Sequence, residues 1–336
     1  MSNIYDVARE AGVSRSTVSR VLNNRSEVNE ETRLKVLDAI QKLNYQPNAT
    51  ARSLALSKSN TIGVITKHIA NTFYAEFIES IHVTAEKAGY GTLFSFCNTE
   101  FKSGIDYTGI LNGKVDGIIF VGENTFSDAQ LQVLAKNGIP TVVIESKDVG
   151  ASAISVNINN FEAAYNATSY LIMLGHRKIA HIYGNKDMYE FSERIEGYKA
   201  ALKKNGITVD ERIMQDGNFR AADSMKRAEK LFNSQPDITA AFCANDIMAA
   251  GVIQAAISMG KRIPEDFSVI GFDDMIIPEL IPFNLPSITT VRQPKKEMAE
   301  YAVGAVVDWI ENGTKGQNKV FDTDFIIRNS TGPKTQ

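Results

Sequence analysis

At 336 residues the chain exceeds one average domain and has room for two or three buried cores. Its 43% hydrophobic and 22% charged residues exclude a disordered polymer, and no apolar run approaches the ~18 residues of a membrane span. The formal net charge of −3 hides an asymmetry: the first 59 residues carry nine Lys/Arg against six Asp/Glu, so a basic head precedes an acidic body. A polyanionic partner is expected for the head alone.

The head begins with Ile4, Val7, Ala8 and Ala11, spaced as one apolar face of a short helix. Gly12 is expected to end it in the left-handed conformation that only glycine enters without a Cβ penalty. Val13 fills the turn, Ser14 caps a second helix, and Val18, Val21 and Leu22 form that helix's inner face. Its outer face carries Arg15, Ser16, Thr17, Ser19, Arg20 and Asn23, all hydrogen-bonding and none acidic. That is the layout of a helix-turn-helix, in which two arginines can fork onto guanine edges while hydroxyls meet phosphates. A third helix is expected over residues 30–45, with an apolar stripe of Leu34, Leu37, Ile40 and Leu43 and with Val36 nearby. Residues 1–46 thus read as an all-α headpiece. Pro47 breaks the last helix, and residues 47–59 form a polar hinge with two large apolar side chains, Leu54 and Leu56, of which Leu54 lies on the inner side with Ala51 and Ala55. Beside a DNA-binding head, such a leucine is suited to wedging between base steps in a minor groove.

From residue 60 the pattern alternates. Apolar strands are expected at 61–66, 92–96, 117–121, 141–145, 153–158, 178–183, 239–243 and 268–272. Helices are expected near 77–87, 161–174, 194–205, 222–232 and 247–259. Buried strands separated by amphipathic helices define a doubly wound α/β body with parallel sheets, and the number of strands suits two lobes with a ligand cleft between them.

This body has no glycine-rich dinucleotide or phosphate loop and no nucleophile elbow. His68, His82, His176 and His181 lack metal-site spacing. Cys97 and Cys243 read as small core residues of a reducing compartment. No catalytic constellation, cofactor site or metal site is expected. The N-terminus lacks signal-peptide features, which points to the cytoplasm, around the nucleoid, and against a solute-binding protein of a sugar transporter.

Several motifs now fall into one order: DVAREAGVSRSTVSRVLN (6–23), YQPNATARSL (45–54), TIGVI (61–65), KVDGIIF (114–120), GHRKIAHIYG (175–184), RIEGYKAAL (194–202), ANDIMAAG (244–251), PEDFSVIGFDD (264–274) and SITTVRQP (287–294). In this sequence the chain resembles the lactose-repressor/galactose-repressor family of bacterial transcription regulators from about Ile4 to Thr331. The resemblance implies a body similar to periplasmic sugar-binding proteins, spanning 60–331, with three chain crossings near Ile158, Pro286 and 319–324. The first lobe would then hold 60–158 plus 287–318, and the second 159–286 plus 319–331. It further implies a homodimer on a pseudo-palindromic operator with a central C-G step, and no leucine-heptad tail after Gly332 suggests a tetramer.

By the same resemblance Arg15, Ser16 and Arg20 read bases, and Thr17, Ser19 and Asn23 contact the backbone. Leu54 would wedge the central step between Asn48 and Arg52, while Ala55 stands where some members are basic. For the effector the resemblance points to Phe73 and Tyr74 as stacking faces, Arg194 as a planar fork, and Phe219, Asn245 and Asp273 opposite them. This implies a repressor of carbohydrate-utilisation genes, allosterically controlled by a sugar, sugar phosphate or sugar acid. A purine would stack equally. Three positions depart from the family pattern: Thr72 for a proline, Asn159 for an aspartate, and Arg220 for a small or acidic residue. Arg220 with Arg194 and Lys147 would favour an anionic effector, unless Arg220 is a surface residue paired elsewhere.

Overall fold

A computed structural model describes residues 2–22, 27–45, 58–66, 72–96, 115–122, 125–147, 149–275 and 286–334. The chain divides into two units, Met1–Ser59 and Asn60–Gln336.

The first unit contains α1 (Ile4–Glu10), α2 (Arg15–Leu22) and α3 (Glu30–Lys42). Asn3 caps α1 in a reciprocal capping box with Asp6, and Asn29 caps α3 by accepting from the Thr32 amide at 2.8 Å. Gly12 takes φ +65° between α1 and α2, as the turn requires. Val7, Ala8, Val18, Val21, Val36 and Ala39 make the buried core. The expected stripe of α3 is therefore corrected. Leu34 and Leu37 are 59% and 48% exposed, and the inner face is Val36, Ala39, Ile40 and Leu43. Two apolar sets lie at helical spacing on α3, and packing against α1 and α2 selects the one with the smaller residues.

Among the described residues the second unit holds two six-stranded sheets. The first has the order β11-β5-β4-β3-β1-β2, built from β1 (Thr61–Thr66), β2 (Gly91–Phe96), β3 (Gly117–Val121), β4 (Thr141–Ile144), β5 (Ile154–Ile158) and β11 (Lys319–Phe321). The second has the order β12-β10-β9-β8-β6-β7, built from β6 (Ile179–Tyr183), β7 (Met214–Asp216), β8 (Ala240–Cys243), β9 (Ser268–Phe272), β10 (Thr289–Arg292) and β12 (Asp324–Ile326). Every pairing is parallel except that of β10 with β12. The strands β3, β4, β8 and β9 are buried along their whole length, which is why they read as unbroken apolar runs.

Helices cover both sheets. On the first lobe lie α4 (Thr72–Lys87) and α5 (Asp128–Lys136); on the second, α6 (Asn160–Met173), α7 (Tyr189–Lys204), α8 (Ala221–Ser234) and α9 (Asp246–Ser258). The last helix, α10 (Lys295–Asn312), returns to the first lobe and packs on α4, β3, β4 and β5. Phe77, Ile81 and Ala85 of α4 meet Met298, Ala302 and Val306 of α10 in the same buried core. Burying each of the larger side chains contributes about 2 kcal/mol. Gly197 permits α6 and α7 to touch, since a Cβ there would lie 2.2 Å from the Phe161 carbonyl oxygen.

The lobe boundaries differ from expectation. The first crossing is at 158–160, between β5 and α6. The second falls at 293–294 rather than at Pro286, because β10 pairs with β9 and so completes the second sheet before the chain returns. The third falls at 322–323, and β11 joins β5 in the first sheet instead of the second lobe. Strands of three or four residues with mixed burial lack the continuous apolar run that would assign them to a sheet from sequence.

Candidate functional site

In parallel sheets the carboxyl ends of the strands open onto a shared crevice, because the loops there are free to carry polar groups. Here those ends carry Thr66 as the last residue of β1, Glu145 and Ser146 after β4, Asn160 after β5, Asn245 after β8 and Asp273 after β9. All six are buried polar residues.

At the centre lies Arg194 of α7, 1% exposed. Its Nε donates to Asn160 Oδ1 at 2.8 Å and its Nη1 to the Ala244 carbonyl at 2.5 Å. The guanidinium lies over the Phe272 ring at 3.6 Å and near the Phe191 ring at 5.0 Å. Phe219 packs edge-on against Phe191, its ring against Gly184. This stack holds the guanidinium flat and fixes which edge it presents. Asp273, at φ +97°, has its Oδ1 at 3.7 Å from Arg194 Nη1 and accepts instead from Gln293 Nε2 at 2.8 Å. Burial raises the Asp273 pKa above the usual carboxylate range, opposed by Arg194 and Lys295.

From the first lobe, Phe73 and Tyr74 project from the first turn of α4 and meet edge to face at 5.1 Å. Burial pushes the Tyr74 pKa well up, and Glu145, Glu190 and Asp273 push the same way, against Arg194 alone. Tyr74 therefore feels carboxylates of both lobes at once. Three buried oxygens at this level, Thr66 Oγ1, Ser146 Oγ and Gln293 Oε1, have no hydrogen-bond partner among the described residues.

Asn245 caps α9 by accepting from the Met248 amide at 2.8 Å. The anionic set is not assembled. Lys147 turns to Asp128 at the start of α5, 3.1 Å away, on a shallow pocket with Leu131, Gln132 and Ser152. Arg220 is exposed at the N-cap of α8. Asn159 caps α6 and bonds Glu162 in both directions, so the amide that replaces an aspartate has a helix-end role. Thr72 starts α4 in an exposed position. Glu145, Glu190 and Gln293 were not expected from the sequence; the signal available was the place of Glu145 and Gln293 directly after the apolar strands β4 and β10, whereas Glu190 lies in the first turn of α7 and left none.

On the headpiece, Arg15, Ser16 and Arg20 are exposed on one side of α2, and Thr17 and Ser19 are half-buried. Ser14 Oγ accepts from the Thr17 amide at 3.1 Å, the expected cap. Arg15 donates to Tyr5 Oη at 3.1 Å, and Arg20 lies 3.7 Å from Glu27. Tyr5, 63% exposed beside Arg15, is a member of this polar face that sequence reading missed. Asn23, Asn48, Arg52, Leu54 and Ala55 lie outside the described residues, as do His68 and Cys97. Among the described residues no helix is long and apolar enough to cross a membrane.

A helix-turn-helix head on a two-lobed body with a polar inter-lobe site defines a ligand-responsive DNA-binding regulator. Residues 3–48 match the model of bacterial regulatory proteins of the lacI family, and 168–331 that of the periplasmic binding protein-like domain. The chain is 37% identical over 335 residues to the HTH-type transcriptional repressor PurR of Vibrio atlanticus (strain LGP32), covering 98% of each. Among solved structures it is similar to the lac repressor dimer bound to operator and the anti-inducer ONPF, with TM-score 0.86 and 27% identity over 98% of this chain and 99% of that one. It is also similar to the complex of the transcriptional regulator CelR with cellobiose, with TM-score 0.70 and 29% identity over 98% and 100%. The chain belongs to the lacI family of bacterial regulatory proteins, and it is a transcriptional regulator.

Proposed function

We propose that the protein is a homodimeric repressor whose effector is a neutral carbohydrate held between the lobes. The observation that carries this reading is the buried Arg194–Asp273 pair, set 3.7 Å apart without a direct hydrogen bond in the site that the Phe73 and Tyr74 rings also enter. A second negative charge placed there would be repelled, whereas hydroxyl groups donate well to carboxylates and accept from a flat arginine fork. The orphaned oxygens of Thr66, Ser146 and Gln293 supply further acceptors for hydroxyl donors. Phe73 and Tyr74 offer apolar faces to a sugar ring. The cellobiose in the related CelR structure agrees with this ligand class.

The roles we assign are supported in the body by where the side chains lie and rest in the headpiece and hinge on the family resemblance. Arg194, Asp273, Phe73, Tyr74, Phe219 and Asn245 hold the effector; Lys147 and Arg220 do not contribute charge to it. Arg15, Ser16 and Arg20 read the operator from the major groove, with Thr17, Ser19 and Asn23 on its backbone and Asn48, Arg52 and Leu54 in the minor groove. Regulation, not turnover, is the activity.

A thermal-shift screen of the full chain tests the effector class, with D-glucose, D-ribose and cellobiose against glucose 6-phosphate, gluconate and hypoxanthine. A ligand at 100 times its Kd adds about 2.7 kcal/mol. Stabilisation by a neutral sugar is expected. Stabilisation by an anion or by hypoxanthine alone overturns the reading and leaves the anionic or purine alternative.

A further inference from the structure

Lys295, the first residue of α10, is 3% exposed, which is unusual for a lysine. Its ammonium donates to the Asp273 carbonyl oxygen at 2.8 Å, pairs with Glu76 Oε2 of α4 at 2.8 Å, and lies 5.4 Å from the centre of the Phe73 ring. Asp273 belongs to the second lobe; Glu76 and Phe73 belong to the first. One buried charge thus ties the lobes together immediately after the second crossing. Removing a partner from such a charge leaves it uncompensated, so the three contacts are held or released together. The preceding residue but one, Gln293, bonds the Asp273 carboxylate, so the backbone and side chain of one aspartate are both gripped by the same crossing segment.

We infer that Lys295 is a positioning residue that transmits the state of the Asp273 end of the cleft to the first turn of α4. The tie concerns regulation of the proposed effector site and rests on that reading for its consequence alone. A ligand that draws on Asp273 shifts the carbonyl that Lys295 holds, and Glu76 with Phe73 must follow. Two lobes joined by a charge that is either fully paired or buried unpaired have two discrete arrangements, not a continuum.

The test needs no effector, so it is independent of whether a sugar binds. Amide hydrogen exchange is measured on the ligand-free full chain for wild type, Glu76→Ala, Lys295→Met and the double variant. The reporters are the amides of Asp273 and Met275, which donate to the Val291 carbonyl and to Asp246 Oδ2 in the second lobe. Glu76 is half exposed on the first lobe, so its truncation is compatible with folding. Glu76→Ala is expected to speed exchange at Asp273 and Met275 roughly tenfold while the amides of α9 stay unchanged. Glu76 also attracts Arg292, which holds Asp274 at 2.7 Å, and this offers a second route between the lobes. The double variant separates the two. If Lys295 carries the coupling, Glu76→Ala adds nothing in the Lys295→Met background. Unchanged exchange in Glu76→Ala overturns the inference, and so does an undiminished effect in the double variant. Should Lys295→Met not fold, Lys295→Arg replaces it, whose longer planar head cannot keep the same two contacts.

Discussion

Arg194 and Asp273 face one another at 3.7 Å without a direct hydrogen bond. Each is held by other partners, Arg194 by Asn160 and the Ala244 carbonyl, Asp273 by Gln293. The pair is therefore positioned rather than closed, and a ligand hydroxyl can bridge it while both keep their supports. Because both are buried, removing one leaves the other uncompensated. Arg194→Met is expected to destabilise the body by about 3 kcal/mol, and Asp273→Asn, which keeps an acceptor for Gln293, by about 1 kcal/mol. Urea unfolding of the full chain followed by far-UV circular dichroism measures both. Equal losses would mean that the pair contributes packing alone.

His181 gives a pH-dependent stability with a defined sign. It stacks between Tyr198 and Phe242, bonds the Phe242 carbonyl through Nδ1 at 2.9 Å, and among the described residues has no partner for Nε2. Burial lowers its pKa from 6.5 to about 4. Above pH 6.5 the imidazole is neutral in both folded and unfolded chains, and its contribution is complete. Between pH 6.5 and 4 the unfolded chain takes a proton that the folded chain refuses, so stability falls as the pH drops. From pH 7 to pH 4.5 this one group removes about 2.5 kcal/mol. His181→Gln, whose amide still donates to Phe242, is expected to be less stable at pH 7 but to lose about 2.5 kcal/mol less on acidification. A pH profile of urea midpoints that stays parallel to wild type would contradict it.

Two helical glycines are expected to respond in opposite directions. A Cβ at Gly197 would meet the Phe161 carbonyl at 2.2 Å and the Tyr165 amide at 3.0 Å, both backbone atoms that cannot yield without moving α6. Gly197→Ala should lower stability by about 3 kcal/mol. At Gly304, inside α10, no heavy atom lies within 4 Å of the added carbon. There the substitution only restricts the unfolded chain, and Gly304→Ala should add about 0.5–1 kcal/mol. Melting temperatures of the two variants check the contrast directly.

What the sequence made legible follows from pattern length. Runs such as TIGVIT and GIIFV are long and apolar because their strands are buried on both faces, and all eight expected strands are present. β7, β10, β11 and β12 have three or four residues and mixed burial, so they left no such trace, and with them went the lobe boundaries. The cleft was partly legible. Arg194, Asp273, Phe73 and Tyr74 sit in motifs that the family resemblance marks, and the fold brings them together. Glu145, Glu190 and Lys295 carry no motif; their importance lies in being buried, Glu145 and Glu190 around Tyr74 and Lys295 between Asp273 and Glu76, which the fold decides and no local pattern shows. Lys147 failed for the converse reason, since a cation near a strand end pairs with the nearest acid, here Asp128. Leu34 and Leu37 show that helical spacing alone does not choose between two apolar faces.

The recognition surface of α2 yields a prediction that separates base reading from phosphate contact. Arg20 is exposed and only loosely engaged by Glu27 at 3.7 Å, so little has to be broken before it can reach a guanine. An operator is first selected from a random duplex pool by the full chain. Arg20→Ala is then expected to weaken binding by about 1–3 kcal/mol and to relax preference at one symmetric base position per half-site. Thr17→Val and Ser19→Ala, on the flank of the same helix, should weaken binding evenly over all sequences because backbone contacts carry no base information. Glu27→Gln removes the loose competitor and one negative charge from the basic head, so it should tighten binding modestly, by less than about 1 kcal/mol, with the gain shrinking as salt is raised. Quantitative binding to the selected duplex and to single-position variants of it distinguishes these patterns. If Arg20→Ala lowers affinity without altering the preference at any position, Arg20 serves the phosphate backbone, and base reading falls to Arg15 and Ser16.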